Sequence, residues 1–187
     1  AEREEVVAHR WLPCLNTMGE ALHFDELARN GGAVVEAHLT VDTGMGRGGF
    51  LSTEAPAALE AIRALPGIQV TGLGSHLPSA DEDIEFTRTQ FEAFDSLVES
   101  LPRRNELKHV HLANSAGLLG YRSRTTTLVR PGLLLYGVSP LDGHGGAMRT
   151  VMTLRSRVAV IRDLPAGHGI SYGRTHVTTR PTRVGTI

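Results

Sequence analysis

Cysteine is nearly absent from this sequence. Cys14 is the only one, so an intrachain disulfide is impossible. Beside Pro13 and Leu15 it reads as a small apolar filler. Lysine is as scarce. Of the 19 Lys and Arg residues only Lys108 is lysine, leaving eighteen arginines, so a mechanism that needs a lysine has one candidate here. The formal net charge is −1, which excludes a strongly basic nucleic-acid binder. No apolar run approaches the ~18 residues of a transmembrane helix. The start, Ala1-Glu2-Arg3-Glu4-Glu5, is charged and lacks the apolar segment of a signal peptide, so a cytoplasmic protein without membrane or nucleic-acid partners is expected. A disordered chain is excluded, because 41% of the residues are hydrophobic. The 187 residues suit one domain. They fall short of the ~250 typical of a complete (β/α)8 barrel. With no initiator Met, a piece of a longer protein is expected.

The first two-thirds alternate short apolar runs with amphipathic ones. Residues 9–15 read as a short strand broken by Pro13, and Leu22 and Leu27 as part of a helix that stops at Asn30-Gly31-Gly32. Residues 33–41 are nearly all apolar, as in a strand buried on both faces of a parallel sheet. A glycine-rich loop, 44–49, follows. A helix over 54–65 is predicted with Thr53 as cap and Pro56 in its first turn. The next strand covers 68–76. Ser79 and Glu82 fit a capping box for a helix whose apolar stripe is Phe91, Phe94, Val98 and Leu101. Strands are predicted at 109–113 and 125–129, with a short helix around Leu118 between them. Repeated strand–helix alternation specifies a parallel α/β sheet, open or closed into a barrel. The pattern changes in the glycine-rich stretch 142–146, and residues 152–161 alternate like a half-exposed antiparallel strand. The expected domains are therefore 1–145, α/β, and 146–187, the beginning of a β domain.

Polar residues collect at the ends of the predicted strands: Asp42 and Arg47, Ser75-His76, Asn114-Ser115, then Arg130 and Gly132. In parallel α/β proteins, functional groups gather at the carboxyl ends of strands. The loop Gly44-Met45-Gly46-Arg47-Gly48-Gly49 lacks the spacing of a dinucleotide fingerprint. Taken alone it reads as a flexible βα loop, but its glycines also leave Arg47 free to reach a carboxylate or phenolate with its planar fork. Asn114-Ser115-Ala116-Gly117 opens a helix after a strand, which suits either a phosphate or a plain N-cap. Arg130-Pro131-Gly132 closes a strand, and Gly132 permits close backbone approach to a ligand or simply a tight turn.

In order and spacing these residues resemble the alanine racemase family. Val41-Asp42-Thr43-Gly44-Met45-Gly46-Arg47 is similar to that family's V-D-T-G-M-G-R loop. Ser75-His76 with Ala80-Asp81, and His111-Leu112-Ala113-Asn114-Ser115-Ala116, resemble its next two strand ends. Arg130-Pro131-Gly132 leading into Leu135-Tyr136-Gly137 resembles its R-x-G…L-Y-G segment. Gly169-Ile170-Ser171-Tyr172-Gly173 and Thr179-Arg180-Pro181-Thr182-Arg183 resemble its S-Y-G and R-P-T-R signatures. The resemblance spans the whole chain.

It implies the second half of a (β/α)8 TIM barrel followed by the start of a C-terminal β domain, a homodimer with composite sites, and pyridoxal 5'-phosphate as cofactor. It implies interconversion of L- and D-alanine, which supplies D-alanine for peptidoglycan. Ser115, with backbone N–H groups near Gly132 and Leu133 and with Asn114 beside it, would hold the phosphate. Arg130 would face the pyridine nitrogen, with His76 hydrogen-bonded to it, and Arg47 would contact the phenolic oxygen and the substrate carboxylate. Tyr172 would be the base on one face of the substrate carbon. The base on the other face, a lysine that also binds the cofactor, has no counterpart in these residues, since Lys108 sits in no comparable motif. The 187 residues alone are thus expected to be inactive. Thr40 stands where many members carry a carbamylated lysine. No metal is expected. A broad-specificity amino-acid or serine racemase shares every motif. A homologue without catalysis, binding the cofactor or nothing, would lack the lysine in its full-length gene, and a barrel module that binds a phosphorylated metabolite explains Ser115 and Gly132 but not Tyr172.

Overall fold

The computed structural model describes residues 2–187, and its contacts divide the chain into two units, 1–150 and 151–187. The first unit opens with α1 (Glu2–Ala8) and then β1 (Cys14–Leu15), α2 (Met18–Asn30) and β2 (Val35–Asp42). It continues through β3 (Phe50–Leu51), α3 (Ala55–Arg63), β4 (Ile68–Gly74), α4 (Ile84–Ser100), β5 (His109–His111), α5 (Ser115–Gly120) and α6 (Gly132–Leu135). Strands β1, β2, β4 and β5 pair in that order and all in parallel, with β3 added at the end of β2.

The sheet has two chemically different faces. Leu39, Leu73 and Val110 stand in register across β2, β4 and β5, with Ala37 beside Val70. All are buried in the one hydrophobic core, together with Phe24 and Ala28 of α2, Leu59 and Ile62 of α3, and Phe91, Phe94 and Val98 of α4. The helices cover this face because their apolar stripes recur at three- and four-residue spacing. The opposite face carries His38, Thr40, His109 and His111, with Gly72 and Gly74 between them on β4. A Cβ at Gly72 would overlap the His38 ring, and one at Gly74 the His111 ring. The two glycines make room for two imidazoles.

Several local expectations are corrected. Residues 9–13 are not strand, and the acidic residues 2–8 form α1 instead. Cys14 is exposed, on the histidine-bearing face opposite His38, and fills no core. Thr53 caps nothing. Helix α3 follows Glu54, which makes no side-chain cap bond. The capping box at 79–82 does not form. Ser79 accepts from the Glu82 and Asp83 N–H groups through its carbonyl, and Asp83 caps α4 by accepting from Phe86 N–H at 2.9 Å. The aspartate is nearer the helix, so it wins the cap. Strand β4 ends at Gly74, two residues early, and 125–129 contributes only one bridge, His111 to Leu128.

In the second unit, β6 (Val160–Leu164) pairs antiparallel with β9 (Thr182–Thr186), and β7 (Gly169–Ile170) with β8 (His176–Val177). The strand expected at 152–161 is displaced towards the C-terminus: residues 151–159 have no regular structure, because pairing with 182–186 sets the register. Thr178 is the buried polar anchor here, donating to Pro165 O at 2.6 Å and accepting from His168 N–H at 2.9 Å.

Candidate active site

The site is built at the carboxyl ends of β2, β4 and β5. Six of the residues singled out from the sequence, His76, Asn114, Ser115, Arg130, Gly132 and Leu133, line one pocket of about 270 Å³. Arg47 lines a second cleft with Thr40, Glu20 and His76, so His76 is shared by the two. Tyr172 belongs to the other unit. Within these residues its side chain is 99% exposed. Ser171, just before it, has φ 58° and ψ −172°, a conformation almost confined to glycine.

Arg130 is one of the polar groups that line the pocket. Its backbone N–H donates to Ala113 O at 2.9 Å, fixing the residue beside the end of β5. Its Nη2 donates to Ser75 O at 2.6 Å and to His76 Nδ1 at 3.2 Å, and its Nη1 donates to His111 Nδ1. A guanidinium has five N–H donors. Three are used, so Nε–H and one Nη1–H remain for a ligand.

Arginine only donates, and this fixes the imidazole protons. His111 accepts at Nδ1, so its proton is on Nε2, which lies 3.0 Å from His38 Nδ1. His38 accepts there and carries its own proton on Nε2, which is buried without a partner among the described residues. Burial first, then the charge of Arg130 and the neighbouring His38 and His109, lower the His111 pKa to about 3. His38 and His76 are pushed down as well, chiefly by burial and then by nearby like charges, His109 and Arg130 for His38, Arg130 and Arg47 for His76. Burial also lowers Arg130 somewhat. Arginine nevertheless stays charged in proteins. The result is a fixed cation on a bed of neutral imidazoles.

The same pocket is lined by hydroxyl and amide groups. Asn114 is occupied as the cap of α5: its Oδ1 accepts from Gly117 N–H at 2.9 Å and its Nδ2 donates to Leu77 O at 3.1 Å. Ser115 Oγ accepts from Leu134 N–H at 3.3 Å, which leaves its own proton to donate. A Cβ at Gly132 would meet nothing within 4 Å. An anion can therefore approach the backbone there. Hydroxyl and amide donors and a fixed guanidinium line one pocket, a donor set that fits a phosphorylated cofactor such as pyridoxal phosphate.

Residues 1–140 match the family model described as alanine racemase, N-terminal domain, and residues 151–187 match alanine racemase, C-terminal domain. The chain belongs to the alanine racemase family. An alanine racemase of Syntrophobacter fumaroxidans is 36% identical over 190 residues, which cover 100% of this chain and 51% of that protein. The solved alanine racemase from Streptomyces coelicolor A3(2) superposes with TM-score 0.79 at 30% identity, covering 98% of this chain and 50% of that one. The alanine racemase from Bartonella henselae, described with covalently bound pyridoxal phosphate, superposes at TM-score 0.76 and 26% identity over 97% of this chain and 50% of that one. This chain spans about half the length of the relatives it matches. Its fold is a partial α/β barrel followed by the start of the family's C-terminal domain.

The histidine pair His38 and His111 escaped attention as site residues in the sequence. A lone histidine in an apolar strand reads as packing. The available signal was the pairing of His109-Val110-His111 with Gly72-Leu73-Gly74, histidines alternating against glycines at the same spacing. Lys108, the one lysine, forms an ion pair with Glu36 at 3.2 Å and does not line the pocket. Among the described residues no helix is long and apolar enough to cross a membrane, and no cluster could hold a metal ion.

Proposed function

We propose that this chain supplies the phosphate, pyridine and one-base elements of a pyridoxal-phosphate-dependent alanine racemase. The observation that carries the proposal is one pocket lined by both Arg130, held by Ser75, His76 and His111, and the Ser115 hydroxyl. When bound, pyridoxal phosphate supplies a conjugated ring that acidifies the Cα–H of an attached amino acid. Ser115 Oγ and the Leu133 amide bind the phosphate. Arg130 donates to the pyridine nitrogen but does not hand over a proton. A guanidinium at that position would limit electron withdrawal by the ring and so would favour return of the proton to Cα over transamination. Arg47 orients the substrate carboxylate through its fork.

Racemisation needs a proton carrier on each face of Cα. Tyr172 Oη serves one face, acting on the neighbouring subunit of a homodimer. The strained backbone of Ser171, just before it, supports a functional role for this turn. The lysine for the other face lies outside these residues. Thr40 cannot be carbamylated, so Arg47 is held by its loop rather than by a carbamate. The cytoplasm is the expected compartment, where D-alanine feeds cell-wall synthesis.

The test is cofactor binding and turnover by the complete gene product. Ser115→Ala should weaken pyridoxal phosphate binding by about tenfold or more, the loss of a hydrogen bond to a charged group. The unaltered protein should interconvert the alanine enantiomers. Unchanged cofactor affinity in Ser115→Ala, or no turnover in the loaded protein, would reject the proposal.

A further inference from the structure

No hydrogen bond or ion pair holds the Arg47 side chain among the described residues. Its position is therefore set by the backbone of its loop, which is clasped at two points. The inner clasp is local. Asp42 accepts from Gly44 N–H at 2.8 Å and from Gly46 N–H at 3.0 Å, and although burial opposes its ionisation, these amides hold the carboxyl below its usual range.

The outer clasp comes from α4. Gln90 Nε2 donates to Thr43 O at 3.2 Å and to Thr43 Oγ1 at 3.3 Å. Gln90 is 1% exposed, and its Oε1 has no partner among the described residues. Turning the amide over would set Oε1 against the Thr43 carbonyl, so the orientation is determined. Burying an amide with one end unsatisfied is unfavourable, and packing alone would be served better by leucine or methionine. What the amide does is hold Thr43. One turn earlier, Phe86 closes over Gly44, where a Cβ would lie 2.6 Å from the phenyl ring.

The clasp extends further. Thr43 Oγ1 lies 2.7 Å from Ser75 Oγ, and the Ser75 carbonyl is the acceptor for Arg130 Nη2 at 2.6 Å. Gln90, Thr43 and Ser75 thus form a continuous hydrogen-bonded run from α4 to the loop that carries Arg47 and to the end of β4, where Ser75 O accepts from Arg130.

We propose that Gln90 is a positioning residue, whose amide clamps Thr43 and thereby sets the Arg47 loop in register with the Arg130 guanidinium. The effect on turnover rests on the proposed roles of Arg47 and Arg130; the clamp itself does not.

The experiment is amide hydrogen exchange and steady-state kinetics on the complete gene product. Gln90→Met keeps the volume and removes the donor. It should speed exchange at Gly44 and Gly46 about tenfold, since the part-buried Thr43 carbonyl loses its partner, while amides 91–98 of α4 stay protected. The KM for alanine should rise about tenfold with kcat changed less than threefold. Thr43→Val removes only the shared hydroxyl and should speed the same two amides severalfold, which keeps the test open if Gln90→Met folds poorly. Unchanged exchange at Gly44 and Gly46 in both variants overturns the clamp. So does faster exchange spread evenly along α4, which would make Gln90 a packing residue. Arg47→Ala separates the two layers: if it leaves KM unchanged while Gln90→Met still frees the loop, the role of Arg47 fails and the clamp stands.

Discussion

His38 Nδ1 lies 3.0 Å from His111 Nε2, and the contact passes the directionality of Arg130 two residues deep into the sheet's polar face. Neither imidazole can take up a proton without losing an acceptor nitrogen that a neighbour needs. The pair therefore holds a cation in place without adding charge of its own.

Stability should follow. His111 titrates at about 3 in the folded protein. An unfolded histidine titrates near 6.5. Between these values the unfolded chain holds a proton that the folded one refuses, so stability falls as pH falls. The slope from this group is at most about 1.4 kcal/mol per pH unit. Urea unfolding of the complete gene product from pH 6.5 to 5 should show the loss. His111→Gln retains an acceptor and a donor but does not titrate, and should flatten the slope. An equal slope in both proteins would show that another group sets it.

Gly72→Ala should destabilise by about 1–3 kcal/mol, because the new methyl overlaps the ring of the buried His38. Combining it with His38→Ala should recover much of that loss, a coupling that a double-mutant cycle reads directly. Additive losses would mean that the ring and the glycine do not share space.

These two glycines show where the sequence is readable and where it is not. The apolar residues of β2 and the stripe Phe91, Phe94, Val98 on α4 are legible because burial imposes a period on them. The order of strand ends is legible because polar groups interrupt apolar runs there. Partners are not legible. Nothing local tells Asp83 from Ser79 as the cap of α4, and nothing in 152–161 shows that pairing with 182–186 starts the strand at Val160. His38 and His111 acquire meaning only when β4 brings glycines between them, a contact across 34 and 37 residues of chain respectively, counted from 72 and 74.

Arg130→Glu should shift the products. A carboxyl can share a proton with a ring nitrogen, which a guanidinium does not. Greater electron withdrawal should raise transamination relative to racemisation. Pyruvate yield per racemisation event, measured with the cofactor bound, should increase. An unchanged ratio would place Arg130 away from the ring nitrogen.

The most direct measurement of the proposed chemistry is exchange of the alanine α-proton with deuterated solvent in Tyr172→Phe, in the complete gene product loaded with cofactor. Only a hydroxyl is lost from a side chain that is 99% exposed, so folding should be unaffected. One enantiomer should still exchange through the remaining base, while exchange of the other and racemisation nearly stop. Equal exchange from both enantiomers would contradict the assignment of Tyr172 to one face.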